Sequence, residues 1–161
     1  MTAPDVVAAF LDEERMAFQP FERLAALDDA ALSRAIPSAH DWSGRDVIAH
    51  VVACLDDAIA VAAEPSDAGA VAARELSRAR FAARGDEINA EIQSAWSATP
   101  ISEVRRRLHD VPESLRRAVA AAPPSRWVDD PENLHFMHIY TVEHYEDHLD
   151  DVAAIIAAAR S

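Results

Sequence analysis

The sequence contains one cysteine, Cys54, so no intrachain disulfide can form and the fold must rest on packing. It has only three glycines in 161 residues. No run of alternating β-branched residues reads as a strand. No stretch approaches the ~20 apolar residues of a membrane span. The first residues, Met1-Thr2-Ala3-Pro4-Asp5, lack the basic and apolar regions of a secretion signal. Basic residues are few, 15 against 28 acidic, for a net charge of −13. A field of that sign repels nucleic-acid backbones and anionic membrane surfaces. A Gly-x-Ser-x-Gly elbow and a Gly-rich phosphate loop are both missing. The expectation is a cytoplasmic protein that partners neither nucleic acid nor membrane.

What is present points to helix. Hydrophobic residues make up 50% of the chain and Ala dominates them, and Ala gives up little side-chain entropy in a helix. The length suits one domain over 1–161, and no repeat, low-complexity tract or linker divides it. Such a chain can bury about two-thirds of its unfolded surface, enough for a core without disulfides.

Thr2 can cap a first helix, with Pro4 and Asp5 in its first turn. Val7, Phe10, Leu11, Phe18, Phe21, Leu24 and Leu27 recur at helical spacing to about Asp28, across a kink expected at Pro20. A short helical piece, Asp29 to Ala35, ends at Pro37. Ser43 followed by Asp46 resembles a capping box and opens a second helix, about Gly44 to Ala63. Residues 66–84 and 86–98 read as two helical stretches punctuated by Gly69 and Gly85. Thr99-Pro100 marks a break or restart, with Ser102 as a candidate cap and a kink expected at Pro112. On this reading, 86–122 could form one interrupted third bundle helix. Asp130-Pro131 opens the last helix, to about Arg160. Four long helices, with short ones in the connections, describe a bundle.

The last helix carries His144 and His148, one turn apart on one face. At roughly 100° per residue, Leu134, Met137, Thr141, Tyr145, Leu149, Val152 and Ile156 share the apolar arc. Glu143, Glu146, Asp147, Asp150 and Asp151 take the opposite face. His148 falls inside the arc and His144 at its border. A buried neutral imidazole needs a partner, and either a metal ion or a core polar network supplies one. His50, about two turns into the second helix, is the third candidate ligand. Three imidazoles from two helices would form an open metal site with room for water or substrate, able to lower the pKa of bound water. Cys54 and Asp57 lie on the His50 stripe. Cys54 reads as a small core residue that could touch the site, Asp57 as an acceptor or a pocket wall. His40 reads as exposed or at a pocket rim, His109 as solvated and His138 as a satisfied core histidine. Trp42, Trp96 and Trp127 read as core plugs, Trp127 alternatively as a pocket wall. The pairs Asp28/Asp29, Asp56/Asp57 and Asp150/Asp151 read as solvated faces.

The segment Asp41-Trp42-Ser43-Gly44-Arg45-Asp46-Val47-Ile48-Ala49-His50 resembles the Trp-to-His motif of the DinB/YfiT-like superfamily. His144-Tyr145-Glu146-Asp147-His148 is similar to its second, H-x-x-x-H motif. Asp86-Glu87-Ile88-Asn89-Ala90-Glu91-Ile92 resembles the ClbS/DfsB-type branch. The resemblance implies an all-α four-helix bundle and frequent homodimers. It implies one divalent metal ion (Zn, Ni, Mn or Fe) on His50, His144 and His148. It also implies diverse chemistry on small molecules: mycothiol-dependent isomerisation, thiol transfer, or hydrolysis in the ClbS-like branch, whose members do not all keep the metal triad. Three readings follow. The first is a metal-dependent hydrolase or thiol transferase acting on a small electrophile, with a low-molecular-weight thiol as possible partner. The second is a metal-free hydrolase. The third is a non-catalytic bundle that binds small molecules or a second protein copy.

Overall fold

The computed structural model describes residues 2–161. Among these the chain is helical and forms no strand, as an all-α bundle requires. Helix α1 spans Ala3–Glu22 and α2 Asp29–Ser33. Then come α3 (Gly44–Ala62), α4 (Asp67–Ser97), α5 (Ile101–Ala121) and α6 (Ser125–Val128). The C-terminal segment runs through α7 (Pro131–His138), a π turn (Ile139–Glu143), α8 (His144–Asp147) and α9 (Leu149–Ala159).

Local chemistry sets the starts. Thr2 and Asp5 form a reciprocal capping box, with Thr2 N–H donating to Asp5 Oδ2 at 2.7 Å. Ser43 and Asp46 do the same for α3, through Ser43 N–H to Asp46 Oδ2 at 2.8 Å and Asp46 N–H to Ser43 Oγ at 3.2 Å. Gly44 lets the start of α3 press against α2, because a Cβ there would come within 2.6 Å of Leu32 Cδ1. Asp28 caps α2 by accepting from Ala31 N–H, and Asp29 pairs with Arg105 at 2.7 Å, so these carboxylates do more than solvate a face.

The bundle proper is α1, α3, α5 and the C-terminal segment. Phe10, Phe18 and Phe21 face inward from α1. Central α3 buries Val47, Ile48, Val51, Leu55, Ala58 and Val61, and packs most extensively on α4 and α5. Leu108, Leu115 and Val119 of α5 meet Phe136, Met137, Tyr145, Val152 and Ile155 in one core. At up to ~3 kcal/mol for each fully buried large side chain, this core is the main stabilising term.

The structure corrects the sequence reading in several places. Helix α1 ends at Glu22 and passes into a 3₁₀ turn, Arg23–Ala26, instead of running to Asp28. Residues 67–97 form one helix with a break only at Arg84 (φ −142°, ψ 25°), where Arg84 holds Glu87 at 2.8 Å and Glu91 at 2.6 Å across the break. The third bundle helix therefore begins at Ile101, not at 86. Pro100 is its N-cap residue, and Ser102 lies inside the helix. Trp96 and Trp127 are buried as expected, and Arg107 lies over the Trp96 ring at 4.8 Å.

Candidate metal centre

The last helix is not one straight helix, and its interruptions build the site. Thr141 Oγ1 donates back to the Met137 carbonyl at 2.6 Å, within the π turn that begins at Ile139. His148 leaves helical geometry (φ −107°, ψ 5°) between α8 and α9. These two departures turn the helix relative to ideal spacing. Leu149, expected on the apolar arc, is exposed, whereas Asp151, expected on the solvent face, is buried.

His50, on α3, meets His144 and His148 at one point. Ring centroids are 4.8 Å apart for His50–His144 and 4.9 Å for each of the other two pairs. One ring nitrogen from each residue lies within 4.8 Å of the others. At Zn–N distances of about 2.1 Å in tetrahedral geometry, ligand nitrogens sit about 3.4 Å apart, so the widest pair must close by about 1.4 Å to share an ion.

Burial, reinforced by the neighbouring imidazoles, lowers the His50 pKa to about 3. Burial and the proximity of His148 lower His144 to about 4. Both rings are neutral at physiological pH, the state a metal ligand needs. His50 Nδ1 is enclosed without a hydrogen-bond partner. Three converging imidazoles, two of them neutral, fit a divalent ion that prefers nitrogen donors, of which Zn, Ni and Fe are examples.

Residues beyond the triad complete the surroundings. Asp151 Oδ2 lies 2.9 Å from His148 Nδ1, and Oδ1 lies 3.0 Å from His40 Nδ1. An ionised carboxylate only accepts, so His148 carries its proton on Nδ1 and offers Nε2 to the site. His40 is largely exposed, the first of the two readings made for it, yet reaches Asp151. His40 and Asp41 both adopt left-handed backbone, φ 56° and 61°. The loop closes through Ile36 N–H to the Trp42 carbonyl at 3.0 Å. Trp42 is thereby placed against the triad, stacked on His148 (5.8 Å, 18°) and edge-on to His50 (5.2 Å). It is a wall of the site, not the core plug expected from hydrophobicity.

A cavity of about 150 Å³ opens beside His50 and His144, lined also by Cys54, Phe81, Asn89, Ile139 and Tyr140. Cys54 does touch the site, with Sγ 3.4 Å from His144 Nε2, and burial pushes its thiol up to about 12. Asp57 acts at the cavity's edge. It accepts from Arg80 at 2.7 Å and Ser77 at 3.0 Å, and the Ser77 hydroxyl is 2.9 Å from Tyr140 Oη. Trp127 is buried away from this cavity. His138 is partly exposed, edge-on to Phe10 at 5.1 Å, and not a core histidine. His109 is exposed on Asp110.

Sequence reasoning missed Asp151, Asn89 and the role of Trp42. Trp42 left a signal, since it belongs to the same motif as His50, and Asn89 lies within the 86–92 segment that carries the second resemblance. No helix among the described residues is long and apolar enough to cross a membrane. Comparison with curated proteins gives no match, and neither does comparison with solved structures. Residues 19–153 match the family described as the mycothiol maleylpyruvate isomerase N-terminal domain, a DinB/YfiT-like helical bundle, and the chain belongs to that family.

Proposed function

We propose that this chain is a metal-dependent enzyme of hydrolase or thiol S-transferase type, acting on a small electrophilic molecule, with His50, His144 and His148 holding a divalent ion. The observation that carries this reading is the convergence of three imidazoles, two of them held neutral by burial, beside a cavity of about 150 Å³. When bound, such an ion supplies Lewis acidity that activates a nucleophile near neutral pH.

The chain's own groups do the rest. Asp151 keeps the His148 proton on Nδ1 and fixes the ring's direction. Trp42 covers two of the imidazoles and keeps bulk water from them. Phe81, Ile139 and Tyr140 offer an apolar wall for the organic part of the substrate. The Cys54 thiol stays protonated, so Cys54 packs against His144 and does not act as a nucleophile. The family description supports a low-molecular-weight thiol as partner.

The enzyme works as one domain over 1–161, in the cytoplasm, as a homodimer. A core joining Phe10 near one end to Ile155 near the other supports the single domain. Light scattering on eluted protein tests the dimer.

A metal-free hydrolase or a binding bundle is the second reading. One observation favours it: His144 and His148 already have protein partners in Cys54 and Asp151. Elemental analysis of untagged protein separates the two. Near-stoichiometric divalent metal is expected, and His144→Ala should abolish it. Protein that stays metal-free after exposure to zinc, nickel and manganese would reject the metal reading.

A further inference from the structure

Two polar atoms beside the metal centre are enclosed without a partner. One is His50 Nδ1 and the other is Asn89 Oδ1. They are chemically complementary, because a neutral imidazole carries one N–H and an amide oxygen accepts. The Asn89 side chain also lies within hydrogen-bonding reach of His50. Asn89 sits in α4, one turn beyond the break at Arg84, and lines the same cavity as His50 and His144. Leaving both atoms unpaired would carry the full desolvation penalty of two buried polar groups.

We propose that Asn89 is a positioning residue for His50: its amide oxygen accepts the Nδ1 proton and fixes the tautomer that frees Nε2 for the ion. This inference rests on the metal reading above. It makes the two helices symmetrical in design. His148 has its Nδ1 proton held by Asp151, and His50 has its Nδ1 proton held by Asn89. A ligand ring whose rear nitrogen is held loses neither its direction nor its lone pair when the site empties. The break at Arg84 contributes by letting the second half of α4 depart from the line of the first half.

The reversed amide is the competing arrangement. Asn89 Nδ2 would then donate to Nδ1, leave the proton on Nε2 and block the ion's approach. Nitrogen-15 NMR of the imidazoles in metal-free wild-type protein distinguishes the two directly. The Nδ1–H tautomer of His50 is expected, and the Nε2–H tautomer would overturn the proposal whether or not the protein binds metal.

Zinc competition titrations supply the second arm. Asn89→Leu should weaken zinc binding by roughly 10- to 100-fold, with the metal-free melting temperature unchanged or raised. Asn89→Asp, which keeps an acceptor, should retain wild-type affinity or better. Equal zinc affinity in wild type and Asn89→Leu would overturn the proposal while leaving the metal centre standing. Absence of zinc binding by wild type would instead reject the metal reading, and the tautomer would still decide the role of Asn89.

Discussion

Neighbouring residues of one short helix serve two buried polar clusters of opposite character. Tyr145 belongs to the first, with Glu14 of α1 and Arg116 of α5. Glu14 is fully buried and accepts from Arg116 Nε at 2.6 Å and from Tyr145 Oη at 2.9 Å. Arg116 also pairs with Glu113. Phe18 and Phe21 close over the Tyr145 ring. No atom of this cluster lacks a partner. His144 belongs to the second cluster, where three imidazoles converge. The first cluster joins opposite charges and is closed. The second gathers imidazoles alone and stays open to a cavity. Both are buried polar groups inside a hydrophobic bundle, but only the open one has chemistry left to perform.

The comparison breaks most visibly at Glu14. Glu14→Ala leaves Arg116 with only the half-exposed Glu113 as partner and Tyr145 Oη without its acceptor, and should cost up to about 3–5 kcal/mol of stability. Urea unfolding reads this as a lower midpoint, while the folded fraction should bind metal as wild type does. Glu14→Leu combined with Arg116→Met should recover much of the loss, because an apolar pair needs no compensation. An unchanged midpoint in Glu14→Ala would show that the closed cluster is not structural.

Acid should act on the open cluster next. His50 and His144 are lowered to about 3 and about 4, from 6.5. Below about pH 6.5 the unfolded chain binds protons that the folded chain refuses. Stability of the metal-free protein is therefore fully present above that pH and drains away as pH falls towards the folded values. A tenfold bias in protonation is about 1.4 kcal/mol, so the two rings together should cost several kcal/mol by pH 4. Carboxylates also titrate there, so the informative quantity is the difference between wild type and His50→Gln. A smaller loss in His50→Gln between pH 7 and pH 4.5 is expected from unfolding curves. Identical losses would mean that the imidazoles are not held neutral.

The two clusters also differ in how far the sequence disclosed them. The histidines were legible because a Trp-to-His motif and an i, i+4 pair both mark them, and the capping residues fixed where their helices begin. The supports were not. Asp151 and Leu149 exchanged the faces that ideal 100° spacing assigns, because the π turn and the bend at His148 change the register locally. Such a bend depends on tertiary packing, which periodicity does not contain. Asn89 faces the site only because α4 continues through Gly85 and breaks at Arg84, a detail of backbone angles. Glu14 did leave a signal: it falls four residues from both Phe10 and Phe18, on the apolar stripe itself. A lone acid on such a stripe announces a buried partner, although its identity, Arg116, lies 102 residues away.

Asp151 sharpens the comparison because it is a buried carboxylate, like Glu14, placed behind the open cluster. Its two oxygens serve different ends, with Oδ2 on the ligand His148 and Oδ1 on His40 of the loop that carries Trp42. Asp151→Asn keeps the shape and one accepting oxygen but removes the charged acceptor that holds the Nδ1 proton of His148. Zinc affinity should fall by about 10- to 100-fold, as it does when such outer partners are lost elsewhere. Stability should change far less than in Glu14→Ala, because no charged partner in the core is stranded. His40→Ala separates the two roles of the carboxylate. It releases only a solvent-exposed contact, of a kind typically worth less than about 1 kcal/mol, and should leave zinc affinity within about twofold. If His40→Ala weakened zinc as much as Asp151→Asn, Asp151 would act by fastening the loop and its tryptophan. The open cluster would then owe its geometry to Trp42 packing on the rings and not to a proton held on His148.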